Sequence, residues 1–331
     1  MTGSDRVAVV APTQPVLRPA PLRQGDRVAV VAPSHPVVPT QLQTGLETIR
    51  AWGLRPVVLP HVHDVHGHHA GTDDARLGDL QAALDDPSLR AVWAARGGSG
   101  VTRIVDRLDW SGMVRDPKPI IGMSDATALL HAAWVNARLV TVHGQFAGRA
   151  HLLDAHRDAV SHLLALLTGR SAAGPLPRLD GEPSPTTVVD GAAEGPLLGG
   201  NLSLLTAGIG TRWQVDAAGS VVFVEEVGEA PYAIDRMLTH LLSAGWLDGV
   251  AGVLVGRPRH CDPPGRSDPH ATPSATADEV FAERLGGLGV PLLVGLPIGH
   301  VDRHLALPHG ARVHLDASAG IISLAEAVTA W

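Results

Sequence analysis

Three kinds of residue in this chain of 331 could together cleave an acyl bond. Ser124, then Glu225 or Glu226, then His300 each follow a short apolar run that reads as a strand. A hydrolytic serine needs a base to take its proton and an acid to hold that base in one tautomer. Serine, carboxylate and histidine form a chemically complete set. Residue types alone do not select these positions, because the chain holds 18 histidines.

Ser124 has the most informative surroundings. The apolar run 119–121 meets Gly122, and Met123-Ser124-Asp125 opens a stretch over 126–137 with helical character. The serine therefore falls on a strand-to-helix turn. Such a turn lifts a hydroxyl out of the packed layer and aims helix N–H groups at developing negative charge. A serine there can equally be an N-cap, and both readings stand at this point.

Other clusters are weaker. Arg96-Gly97-Gly98-Ser99-Gly100 follows a strand and could turn tightly around an anion, but it has neither a Walker pattern nor Gly-x-Gly-x-x-Gly. Histidines 61, 63, 66, 68 and 69 invite a metal reading. Their spacing fits no single helix face, and a solvated loop is expected. The one cysteine, Cys261, excludes an internal disulfide and reads as a bystander.

The elements that must position these residues alternate. Strands are predicted over 27–32, 55–59 and 91–95, with helices over 41–52 and 73–84 between them. Continuous apolar strands separated by helices imply a parallel sheet covered on both faces. In such sheets functional loops lie beyond the carboxyl ends of the strands, where Gly98 and Ser124 both fall. A helix over 156–167 follows, then a Pro/Gly/Ser-rich stretch that marks a linker. Beyond it, strands over 220–224, 249–255 and 291–296 and helices over 231–242 and 277–285 lead to a hairpin over 311–324. The expectation is α/β: an N-terminal parallel-sheet domain (25–170), a linker (171–190) and a smaller mixed α/β C-terminal domain (191–331), with the active site between them. DRVAVVAP occurs at 5–12 and again at 26–33. The second copy is followed by a helix and is the expected first strand, which leaves 1–24 as an extension that need not be ordered.

Composition sets limits. Hydrophobic residues make up 45% and charged residues 18%, and the net charge is -7. That balance suits a globular protein and argues against nucleic acid as the main partner. No stretch approaches 18 uninterrupted apolar residues, so no membrane span is expected. The N-terminus lacks a basic n-region and a cleavage site, and a cytoplasmic location is the expectation.

The chain resembles the LD-carboxypeptidase family, the muramoyltetrapeptide carboxypeptidases with their microcin-immunity relatives. The likeness runs through GDRVAVVAPS at 25–34, RAVWAARGGSG at 90–100, KPIIGMSDATALLHA at 118–132, LLGGNLSLLTAGIGT at 197–211, VVFVEEVGEAPYAIDRMLTHL at 221–241 and VGLPIGHVDRHLALPHGA at 294–311. It implies Ser124 as nucleophile, Glu225 as acid and His300 as base, with an oxyanion hole from the amides of Gly98 and Asp125. The family's Glu-Asp is Glu225-Glu226 here. Where the family often has Gly-Gly-Tyr-Gly and His-Gly-Pro, this chain has Ser99 and His143-Gly144-Gln145, and Ser99 and His143 are expected contacts to the substrate. Arg236 and Arg303 are candidates to hold a terminal carboxylate.

The resemblance implies a metal-independent serine peptidase without a cofactor. It would remove D-alanine from an L-centre in cytoplasmic murein tetrapeptides during cell-wall recycling, as a homodimer. Two alternatives remain: an amidase of aminoacyl-nucleotide conjugates, for which Trp213 or Trp246 would stack on the base, and a catalytically idle peptide-binding homologue.

Overall fold

A computed structural model describes residues 15–262 and 275–330. The first half alternates strand and helix: β1 (Arg27–Val31), α1 (Pro39–Ala51), β2 (Arg55–Val58), α2 (Asp73–Asp85), β3 (Leu89–Ala94), α3 (Ser111–Arg115), β4 (Ile120–Gly122), α4 (Thr127–Ala137), β5 (Thr141–His143), α5 (Ala150–Asp154) and α6 (Arg157–Leu167). The second half contains β6 (Gly174–Pro175), β7 (Thr186–Val189), β8 (Ala192–Asn201), α7 (Leu202–Ala207), β9 (Val221–Glu225), α8 (Pro231–Ser243), β10 (Gly252–Gly256), α9 (Ala277–Gly286) and β11 (Leu292–Leu296). Three strands close it: β12 (Leu307–His309), β13 (Arg312–Asp316) and β14 (Ile321–Leu324).

Two sheets result. The first has the order β12-β5-β4-β3-β1-β2 and is parallel from β5 to β2. Its central strands are buried on both faces, as the unbroken apolar runs require. The second has the order β6-β14-β13-β8-β9-β10-β11-β7, with a parallel centre from β8 to β11 and antiparallel flanks. The α/β architecture with mixed strands in the second half is the one expected.

The boundaries between the parts are less simple than composition suggested. The expected linker, 171–190, contains β6 and β7, which form the two edges of the second sheet. Edge positions tolerate proline, so a proline-rich stretch can still be strand. Residues 16–22 of the expected extension pack onto the first domain. Leu17 bridges Leu139, the Leu22 N–H donates to Leu167 O at 2.7 Å, and Leu22 is buried. The first DRVAVVAP copy lies outside the described residues, and the second forms β1.

One crossing ties the sheets together. β12 comes from the far end of the chain but pairs antiparallel with β5, placing Leu307 opposite His143 and His309 opposite Thr141. Among the described residues, no helix is long and apolar enough to cross a membrane.

Candidate active site

Ser124 sits where β4 gives way to α4, with φ 56°. That left-handed conformation costs a residue with a Cβ roughly 1–3 kcal/mol and persists only where neighbours impose it. Here they do. The next residue, Asp125, is buried, and its Oδ2 accepts from Ser34 Oγ at 2.6 Å and from the Val101 N–H at 3.0 Å. Burial pushes this carboxyl up, against the pull of those two bonds. Behind the turn, a Cβ on Gly122 would stand 2.8 Å from Ala126 Cβ, so only glycine lets strand and turn close up. The turn passes through a short 3₁₀ segment, and the residue capping α4 is Ala126 rather than Ser124. The N-cap alternative is thus not the local structure, and the sharp-turn reading fits it.

His300 and Glu225 come from the second half. Glu225 ends β9, and its fully buried Oε2 lies 2.7 Å from His300 Nδ1. The close approach depends on Gly299, which has φ 89° and whose added Cβ would fall 2.3 Å from that same oxygen. The neighbouring carboxylate is engaged elsewhere. Glu226 accepts from Asn201 Nδ2, the Ser203 N–H and hydroxyl, and the Val227 N–H. Its partners fasten the start of α7, and burial still pushes its carboxyl up. Of the two acids, Glu225 faces the histidine.

Ser124 and His300 line one pocket of about 260 Å³ together with Gly97, Gly98, His35 and Phe146. Gly97 brings the loop after β3 against the serine: a Cβ there would stand 3.2 Å from Ser124 Cβ and 2.6 Å from the Phe146 ring. Gly98, at φ 125°, lies under the His35 ring. Burial, then Arg96, holds His35 below its ordinary value. A larger, mostly apolar cavity of about 450 Å³ lies between residues 175–185 and 319–322 and contains none of these groups.

Four of the expected substrate contacts fall differently. Ser99 is exposed and its Oγ lies 3.1 Å from His35 Nε2, outside the pocket wall. His143 is fully buried behind Glu225 and does not line the pocket. Arg236 is on the outer face of α8 over the Tyr232 ring. Arg303 donates to His156 and lines a separate surface hollow with Arg257 and Arg259. The arginines that do line the pocket are Arg96 and Arg149. Arg96 donates to Pro36 O at 2.6 Å, whereas the Arg149 side chain has no hydrogen-bond or ion-pair partner among the described residues. Arg149 belongs to no motif quoted above, and its position in an unassigned loop after β5 carried no signal.

The histidine run is not simply solvated. His61 pairs with Asp79 at 2.8 Å, and His69 is buried against His68 with ring centroids 4.0 Å apart. No group of three His, Cys, Asp or Glu side chains among the described residues is disposed to hold a metal ion. Cys261 is buried, and burial pushes its thiol up to about 11.

The LD-carboxypeptidase N-terminal domain matches residues 28–144 and the LD-carboxypeptidase C-terminal domain matches residues 194–315. The chain belongs to the LD-carboxypeptidase family. A carboxypeptidase-like protein of Streptomyces coelicolor is 44% identical over 93% of this chain and 96% of its own length. The murein tetrapeptide carboxypeptidase of Pseudomonas aeruginosa is 31% identical over 84% of this chain and 89% of its own. Among solved structures, MccF in complex with glutamyl sulfamoyl guanosine superposes with a TM-score of 0.84 at 23% identity, covering 96% of this chain and 100% of that one. In this family member the β4 turn, the β3 loop and the segment after β11 meet at one pocket, and the end of β9 stands behind His300.

Proposed function

We propose that this chain is a serine LD-carboxypeptidase that removes the terminal D-alanine of murein tetrapeptides. The observation that carries this reading is the Glu225–His300 pair opening into the pocket that holds Ser124 on its left-handed turn. In the proposed reaction His300 Nε2 takes the Ser124 proton as Oγ attacks the carbonyl before the terminal residue. Glu225 holds the Nδ1–H and steadies the imidazolium. The amides of Gly98 and Asp125 receive the oxyanion. His300 then protonates the departing amine, and water resolves the acyl-enzyme by the reverse sequence.

An exopeptidase must also recognise the end of its substrate. Arg149, unpaired at the pocket wall, is the proposed anchor for the terminal carboxylate, with Arg96 beside it. The substrate class is that of the Pseudomonas aeruginosa relative's name. A cytoplasmic location and a homodimer belong to the same proposal and rest on family likeness. The aminoacyl-nucleotide alternative has less support, because Trp213 and Trp246 are 2% and 6% exposed and belong to the core.

Mass spectrometry of wild type and Ser124→Ala with UDP-MurNAc-tetrapeptide, with and without chelator, tests the reading. The expected result is loss of one alanine by wild type alone, unaffected by chelator. Cleavage by Ser124→Ala would sink the nucleophile assignment. No cleavage by folded wild type, with turnover of an aminoacyl sulfamoyl nucleoside, would favour the amidase.

A further inference from the structure

Glu225 spends one oxygen on His300 and has no hydrogen-bond partner for the other. That oxygen, Oε1, is sealed from solvent and faces His143 Nε2 at 4.0 Å. The His143 ring is wholly buried, and neither of its nitrogens has a partner. Two unsatisfied polar groups thus confront each other directly behind the acid, where a buried orphan is costly to keep.

The neighbouring rings cannot serve Glu225 instead. His304 Nδ1 accepts from the Gly299 N–H at 3.0 Å, and its Nε2 donates to His143 O at 3.3 Å, so both of its nitrogens are used. His309 stacks on His131 with centroids 5.2 Å apart. Glu226 is saturated by Asn201, Ser203 and Val227. The titratable groups around the pair are therefore His300, His304, His309 and Glu226. His309 also has two unpartnered nitrogens, but among the described residues only His143 brings one, Nε2, within 4.0 Å of Oε1.

Burial keeps His143 neutral, so a single ring nitrogen carries a proton. Were that Nδ1, the Nε2 lone pair would face a carboxylate oxygen and repel it. With the proton on Nε2, a closing movement from 4.0 Å to roughly 2.9 Å makes a hydrogen bond. We propose that His143 is a positioning residue whose Nε2–H donates to Glu225 Oε1 and fixes the carboxylate plane, keeping Oε2 on His300 Nδ1. Being uncharged, it does so without repelling the imidazolium that forms on His300. This rests on the Glu225–His300 reading of the reaction given above.

The test compares wild type, His143→Phe and His143→Gln. Phenylalanine keeps the ring without a donor, and glutamine restores a donor at similar reach. On the murein tetrapeptide, His143→Phe is expected to lose about tenfold in kcat, the size of a hydrogen bond to a charged group. KM should hold within about twofold, the acidic limb of kcat/KM should move to lower pH because a loosened carboxylate stabilises the His300 imidazolium less, and His143→Gln should recover most of the rate. Equal rates for the two folded variants would overturn the proposal. Long-range ¹H–¹⁵N spectra of the wild-type imidazoles give a readout that needs neither variant nor turnover. A proton on His143 Nε2 that shifts in Glu225→Gln supports the proposal, and a proton on Nδ1 overturns it. If wild type fails to cleave the tetrapeptide, the functional reading falls, and the spectra still decide the His143 contact.

Discussion

Ser124, Glu225 and His300 are ordinary residue types made unusual by their backbones. A positive φ at Ser124 and a glycine before His300 each permit an approach that a different local geometry would block. Charge recognition works at the same scale. Arg149 faces the pocket without a partner, and a guanidinium on a carboxylate is worth about 1.5–3 kcal/mol. Arg149→Ala should therefore raise KM for the tetrapeptide by about tenfold or more, with a smaller effect on a substrate whose terminal carboxylate is amidated. Equal KM changes for both substrates would remove Arg149 from the carboxylate. The contrast with Arg236 and Arg303 is instructive. The sequence nominates Arg236 and Arg303 and not Arg149, because residue type says nothing of the direction in which a side chain leaves its helix or loop.

Elements place the residues, and some were legible while others were not. β1, β3 and α8 announce themselves by unbroken apolar runs or a helical apolar stripe. β8 does not, because Gly199 and Gly200 read as loop. In the fold their missing Cβ atoms let β8 lie against Phe223 O and Thr127, contacts that no periodicity records. β12 is equally silent, being three residues long and paired with a strand over 150 residues earlier. The β4-to-α4 junction gives the sharpest test at this scale. In Gly122→Ala the new Cβ meets Ala126 at 2.8 Å and Ala94 at 3.2 Å. We expect a loss of roughly 1–3 kcal/mol in chemical denaturation, as for overpacked cores. The turn that carries Ser124 should shift as well, so kcat should fall further than the stability loss explains. A variant of unchanged kcat would show that the turn is set by Asp125 and its partners alone.

The whole molecule buries an unusual set of rings where its two sheets approach. His131, His143, His304 and His309 are fully buried there, with His162 nearby. Burial lowers all five, to about 4 for His131 and for His304. Above pH 6.5 these rings are neutral whether the chain is folded or not, so they add no pH dependence. Below it the unfolded chain takes up protons that the folded one refuses. Stability must then fall as pH falls, by about 1.4 kcal/mol per unit for each ring until its own folded value is reached. The expected result is a steep, cooperative drop in Tm between pH 6.5 and 4, with His309→Phe showing a shallower slope. A flat profile over that range would contradict the buried neutral state. The sequence by itself determined the α/β alternation, the family motifs and the candidates Ser124, Glu225 and His300. These are local matters, carried by periodicity over a few turns and by short ordered blocks. Only the tertiary structure decided that Glu225 rather than Glu226 meets His300, that Arg149 lines the pocket, and that His143 stands behind the acid. Those choices depend on how strands distant in the chain return beside one another. Adjacent carboxylates at a strand end leave in opposite directions, and what each then meets is set by the returning chain.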